Sequence, residues 1–547
     1  MVRRVVGACC AALIGLSAAI ALPSPVIAHS LAGRLESPLP LEVYLAGAGM
    51  AVALSFAFVI VRDVRAPAPS PGRLVPVPPP LVVGLRTIGL VAWLWIVAQT
   101  IVGGSSSADV GTLFLWIYGW VGLAIVSALV GPVWSWLDPF STLHDLAANL
   151  LRRVGVGRTL SVAYPTRLGS WPAVAGLAFF VWLELVYQGR SVGLVLVGYT
   201  AITLAAMAVF GRDAWRRHGE TFSVWLGTLN RLAIVGLAGE PGGRTVRRRP
   251  FVSGVLEPGW TTAHVVLVAI GVASVMYDGL SQTQVWADLF GLLDLPGSTI
   301  ELLVFLAVVV GLALAVGRSV GTAAVGAGLV PIAIGYIVAH YLTYLLGDGQ
   351  LIVVAISDPL QLGWDLFGTA FYVPGTAWLP ASIVWTMQLA SVVGGHIVGA
   401  WAGHVVAVRD ARAGVDVRLR QVPLAALMVC LTVVTLWSLG QEIVRTPTAT
   451  APPDPPASAP QAESMGLPPS ASTTGEEGRP RRARRSPPPT PRAAASAMLA
   501  MSSIAPERAA AEPTTRAAEA TGPVERSAST TYLPSTMSTG IVTSATK

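Results

Sequence analysis

The chain has 547 residues, 53% of them hydrophobic and only 12% charged, with a mean hydropathy of +0.64. Soluble domains carry about 25% charged residues, so this composition excludes a water-soluble globular fold and points to lipid as the solvent. The net charge of +7 is spread as arginines over short loops between apolar runs, which argues against nucleic acid as a partner, and the single lysine, Lys547, leaves no internal G-K-[ST] loop for ATP binding.

Residues 1–28 follow the secretory pattern. Arg3 and Arg4 precede an apolar stretch from Val5 to Leu22, and Val26 and Ala28 stand where a peptidase expects small residues. Cleavage there would leave His29 as the mature N-terminus; an uncleaved first span is the alternative. Cys9, Cys10 and Cys430 are the only cysteines, so the mature chain lacks the pair for an internal disulfide and the set for a cysteine zinc site.

Ten runs of bilayer-spanning length follow. They cover 41–61, 81–102, 110–130, 171–187, 191–210, 261–277, 299–316, 321–346, 381–408 and 422–439. With the mature N-terminus outside, the inside connections carry 20 arginines and the outside ones only Arg34 and Arg190. That asymmetry predicts a multi-pass protein of the cytoplasmic membrane with its N-terminus outside. The expected class is an all-α polytopic membrane protein of about ten transmembrane helices, with a domain from 29 to 445. Residues 446–547, rich in Pro, Ala, Ser and Thr, predict a disordered tail.

Two inside connections are long enough for interfacial helices. In "WLDPFSTLHDLAANLLRR", Asp138 and Pro139 stand as N-cap and first helical residue. "GETFSVWLGTLNRLAIVGLA" mixes aromatic, apolar and basic residues as a surface-lying segment does. On the outside, 347–380 is too polar for a span and predicts a partial or re-entrant helix near "LIVVAISDP".

The pentapeptide GRSVG occurs at Gly189 and again at Gly317, in the G-x-S-x-G shape of a hydrolase nucleophile. A nucleophile elbow needs a strand entering the turn, whereas apolar helices flank both copies here. Ser191 and Ser319 therefore read as turn residues, and the two copies leave room for an inverted repeat of spans four–five and seven–eight.

Ionisable residues inside spans are costly and mark function. The ninth span carries Gly395, Gly399 and Gly403 as a close-packing stripe, flanked by His396 and His404, which suit interhelical hydrogen bonds. On the outer side, His340, Asp278, Asp358 and Asp365 gather by topology, with Glu184 and Asp348 nearby. This group is the candidate catalytic site. His340 and Asp358 are the candidate ligands of a divalent metal ion or another cation.

The chain resembles a family of bacterial multi-span proteins labelled fenitrothion hydrolase. The resemblance rests on "AHSLAGRLESPLPLEVYLAGAGMAVALSF", "LFLWIYGWVGLAIVSALVGPVWSWLDPFSTLH", "LEPGWTTAHVVLV" and "AHYLTYLLGDGQLIVVAISDPLQLGWDLFGTA". It implies a membrane hydrolase of organophosphate-type esters, with no catalytic residues to carry over. A transporter or channel for a small solute or cation, and a metal-handling or assembly protein, are the alternatives that the buried histidines and His29 keep open.

Overall fold

The computed structural model describes residues 40–62, 72–103, 109–155, 162–187, 192–293, 297–375, 378–411 and 417–440. The expected leader and tail, Ser191 and the first GRSVG turn lie outside these residues.

The helices in chain order are α1 (Leu41–Arg62), α2 (Pro79–Val102), α3 (Val110–Leu129), α4 (Pro139–Arg153), α5 (Trp171–Tyr187), α6 (Val192–Phe210), α7 (Arg212–His218), α8 (Thr221–Leu229), α9 (Thr262–Ser281), α10 (Gln284–Leu293), α11 (Gly297–Val320), α12 (Thr322–Leu346), α13 (Ile352–Ser357), α14 (Ala381–Arg409) and α15 (Val422–Gly440). Among the described residues nine helices are long and apolar enough to cross a membrane, and α5 is a shorter apolar helix of 17 residues. The protein is a polytopic membrane protein whose bundle sits in a lipid bilayer. Side chains such as Leu54, Val83, Ile88, Leu194, Ile202 and Val308 point outward. In lipid they need no cover.

The bundle is built around α9 and α12, the two most enclosed spans. Glycine on α12 and α14 lets their backbones meet. A Cβ at Gly335 would stand 2.4 Å from the Ser391 carbonyl, and one at Gly399 would stand 2.4 Å from that of Gly328. The expected stripe is thus the contact face itself.

Two spans contain π-helical stretches, Leu113–Gly122 in α3 and Leu183–Tyr187 in α5. Such stretches are rare and concentrate at functional sites.

The helical class holds, with one small addition. β1 (Arg73–Pro76), β2 (Val235–Leu237) and β3 (Thr245–Arg248) form an antiparallel sheet in the order β1-β3-β2, pairing Leu74 with Arg247 and Gly236 with Arg247. These strands are only three or four residues long, too short to register against the apolar runs.

Asp138 caps α4 as its sequence implies, accepting from the backbone N–H of Phe140 at 2.8 Å. Leu146 and Leu150 of α4 are exposed one turn apart, as on a helix lying at the lipid surface. The second expected interfacial segment behaves differently. α8 is buried against the bundle, with Trp225 stacked on Trp120 and seated over Gly271. Its arginine lies beyond the helix, so the helix itself carries no charge that would hold it at the surface.

Ser319 lies inside the last turn of α11 rather than in the turn that follows it. The chain turns at Gly321, whose φ of 93° suits glycine. The partial helix expected in 347–380 is α13, which ends at Ser357 with Asp358 as its C-cap.

Candidate functional site

α9 lies between α5 and α12, and their ends bring five polar side chains together. His340 Nε2 lies 2.9 Å from Asp278 Oδ2, and the Tyr341 hydroxyl donates to the same oxygen at 3.0 Å. Gln282, which follows the last residue of α9, donates to Oδ1 at 3.1 Å. Tyr341 Oη also lies 3.5 Å from Glu184 Oε1, while Glu184 Oε2 is buried with no hydrogen-bond partner. The cluster has a natural gap at Gly279, where a Cβ would stand 3.3 Å from Ser438 Oγ and 3.8 Å from His340 Cε1. Ser438 of α15 and the His340 ring thus both approach α9 at a point where it has no side chain.

This geometry limits where protons sit. A single Tyr341 hydrogen serves one acceptor, and Asp278 is the nearer. The side chains of His340 and Asp278 are about one-fifth exposed, so the pair is partly reachable, while the Oε2 atom of Glu184 is buried.

Asp358 and Asp365 are not part of this group. Both oxygens of Asp358 accept backbone N–H groups of its own turn, from Leu362 at 2.9 Å and Gly363 at 2.8 Å. Asp365 accepts from Ala370 N at 2.9 Å and from Ser357 Oγ at 2.8 Å. The Ala370 N–H, then the Ser357 hydroxyl, hold its carboxyl below the usual range. These two aspartates fold the segment. Among the described residues no three His, Cys, Asp or Glu side chains are arranged to hold a metal ion. The expected His340–Asp358 ligand pair is thus replaced by a His340–Asp278 hydrogen bond.

The histidines of α14 bridge helices. His396 Nδ1 donates to the Val392 carbonyl at 2.8 Å, so Nε2 is the acceptor facing the Tyr336 hydroxyl of α12 at 3.4 Å. His404 Nδ1 meets Gln421 Oε1 at 2.7 Å, leaving His404 Nε2 and Gln421 Nε2 buried without partners. Buried polar atoms of this kind are where ordered water bonds.

A second ionic cluster lies toward the opposite end of α9. Arg216 Nε is 3.1 Å from Asp138 Oδ2, with both side chains fully buried. Glu220 caps α8 and accepts from Tyr199 and from Trp134 Nε1. Burial, then the neighbouring Asp138 charge, pushes the Glu220 carboxyl up. Sequence reading passed over Arg216 and Glu220 because "RRHGE" looks like an ordinary solvated loop. Tyr341 had a signal, its place beside His340, but its partners come from other spans.

No protein-family model matches this chain, and no curated protein or solved structure matches it either.

Proposed function

We propose that this chain moves protons across the membrane, using the Asp278–His340 pair as its outer proton-binding site. The single observation that carries the reading is that pair, joined through Tyr341 to the buried Glu184 where three membrane helices meet. Intramembrane chains of carboxylate and histidine are the usual relays of pumps and transporters, because only such groups take and release protons near neutral pH. The π-helical turn that carries Glu184 supports a functional role for it. Farther along, Tyr336–His396 and His404–Gln421 offer stepping stones. His396 and His404 are about 12 Å apart on one helix, a gap for water to bridge.

Arginine asymmetry orients the cluster outward in the cytoplasmic membrane. Labelling of Phe371→Cys but not Thr166→Cys in intact cells checks that orientation, and the reverse pattern overturns it.

The proposal is tested in liposomes loaded with a pH-sensitive dye under an imposed potassium–valinomycin potential. Purified protein should carry proton flux above empty liposomes. Asp278→Asn and His340→Gln should each lower it about tenfold or more, the scale of losing one proton-transfer group, while eluting as folded protein. Flux that is absent from the wild type, or unchanged in both variants, sinks the reading.

A second reading uses the same pair. An aspartate that holds one imidazole nitrogen orients the other as a general base for water. The resemblance to proteins labelled fenitrothion hydrolase suggests an organophosphate ester as substrate. Phenol release from a phosphotriester by purified protein, lost in His340→Gln, would select hydrolysis over proton movement.

A further inference from the structure

We propose that a basic cavity on the face opposite the Asp278–His340 cluster binds a phosphate-bearing anion. The cavity has a volume of about 280 Å³ and lies among the ends of α3, α7 and α8, the β2–β3 hairpin and the start of α9. Its charged lining is Arg216, Arg217, Arg231 and Arg249, with the His264 ring beside them and no carboxylate. His264 and Asp278 stand fourteen residues apart on α9, about 21 Å at 1.5 Å per residue. This cavity is therefore separate from the proton site.

The nearby acids pair with three of the four lining arginines and leave Arg231 without one. Asp138 takes the Nε side of Arg216, and Glu240 pairs with Arg217 at the surface. Glu257 is shared between Arg249 at 3.3 Å and Arg247 at 3.6 Å. Arg231 has no carboxylate within ion-pair distance among the described residues. It donates to the carbonyls of Glu257 at 3.1 Å and Pro258 at 3.4 Å, and its guanidinium lies 4.3 Å from the centre of the Trp260 ring. Burial, partly offset by Glu257 and aggravated by Arg249, pushes the Arg231 guanidinium down to about 10. A bound anion would relieve that cost.

Donors in the cavity wall also lack partners. Arg216 Nη1 and the hydroxyls of Ser223 and Ser127 are buried with no hydrogen bond in the protein. Arg216 is only 2% exposed, so its spare N–H groups have no bulk water to turn to. Unmade bonds of this kind are costly and mark a missing partner.

Phosphate fits this set. Guanidinium forks match its oxygens bidentately, and serine hydroxyls donate to those that remain. The volume holds a phosphate group with a few waters and falls below the roughly 300–1,000 Å³ of pockets for drug-sized ligands. Basic pockets between membrane helices also bind lipid headgroups, so the same chemistry serves free phosphate or a phospholipid.

The experiment measures thermal stability of the full chain in a neutral, phosphate-free detergent. Inorganic phosphate and short-chain phosphatidic acid are titrated separately, against chloride at equal ionic strength. Either ligand should raise Tm saturably, and Arg231→Met should weaken the effect about tenfold or more, the scale of a lost charge-assisted bond. Ser223→Ala removes a hydroxyl with no partner in the protein, so it should fold normally and bind several-fold more weakly. Arg73→Met, outside the cavity, should bind as the wild type does. A response to phosphate itself identifies free phosphate as sufficient, and a response to the lipid alone identifies the headgroup. No response to either, or equal responses in the wild type and Ser223→Ala, overturns the proposal.

Discussion

Replacing Gly399 by alanine tests the contact that holds α12 against α14. The new Cβ would stand 2.4 Å from the Gly328 carbonyl oxygen, against the 3.4 Å at which ordinary contact begins. The obstacle is backbone, so no rotamer change can relieve it. α14 must withdraw by about 1 Å, and overpacking on that scale costs about 1–3 kcal/mol. The withdrawal also pulls His396 from Tyr336, a bond already at 3.4 Å. Gly394, on the same helix, has nothing within 4 Å of its Cβ position. Alanine there should be neutral or gain up to about 1 kcal/mol of helix propensity. Thermal unfolding in detergent separates the two variants. Gly399→Ala should melt several degrees below the wild type, at about 2–4 °C per kcal/mol, and Gly394→Ala at or above it. If Gly399→Ala melts with Gly394→Ala, the close approach does not exist.

Two further outcomes concern the opposite face. Asp138→Ala strands Arg216 as a buried unpaired charge and removes the α4 cap, so it should cost about 3–5 kcal/mol. A loss under about 1 kcal/mol in a denaturant titration would show that the pair is not buried. Asp145 joins α4 to Arg212 of α7 at 2.8 Å and to Arg86 of α2 at 3.4 Å. Burial raises its carboxyl, but adjacent His144, Arg212 and Arg86 outweigh burial and leave it below its ordinary value. A depressed folded value means the contribution is complete above the unfolded carboxylate pKa and lost as pH falls through the folded one. Asp145→Asn should therefore flatten the acid side of the Tm–pH curve and leave its alkaline side unchanged. An unchanged acid side refutes the assignment.

Hydropathy is a local property, and a bilayer asks only for an uninterrupted apolar run, so each span was legible within a few residues. The Asp138–Pro139 helix start was legible for the same reason, because a cap involves only the next three residues. The glycine stripe of α14 announced a close contact without naming its partner. Only the packing of α12 supplied Gly328 and Pro331 opposite it.

The candidate site was half legible. Charge asymmetry placed His340, Asp278, Asp358 and Asp365 on one face, but a shared face is a plane about as wide as the molecule. Hydrogen bonds need 3 Å. Asp358 and Asp365 lie in a segment with free backbone N–H groups, which claim their oxygens before any distant side chain can. Asp278 ends a helix whose N–H groups are already bonded within it, so its carboxylate takes donors from α12. Which donors arrive depends on the rotation and height of α5, α9 and α12 against one another, set by glycine contacts and side-chain fit along their whole length. The same holds for the basic cavity. Its arginines come from α7 and from loops up to 33 residues apart in sequence, and only the burial of α8 turns them toward one space.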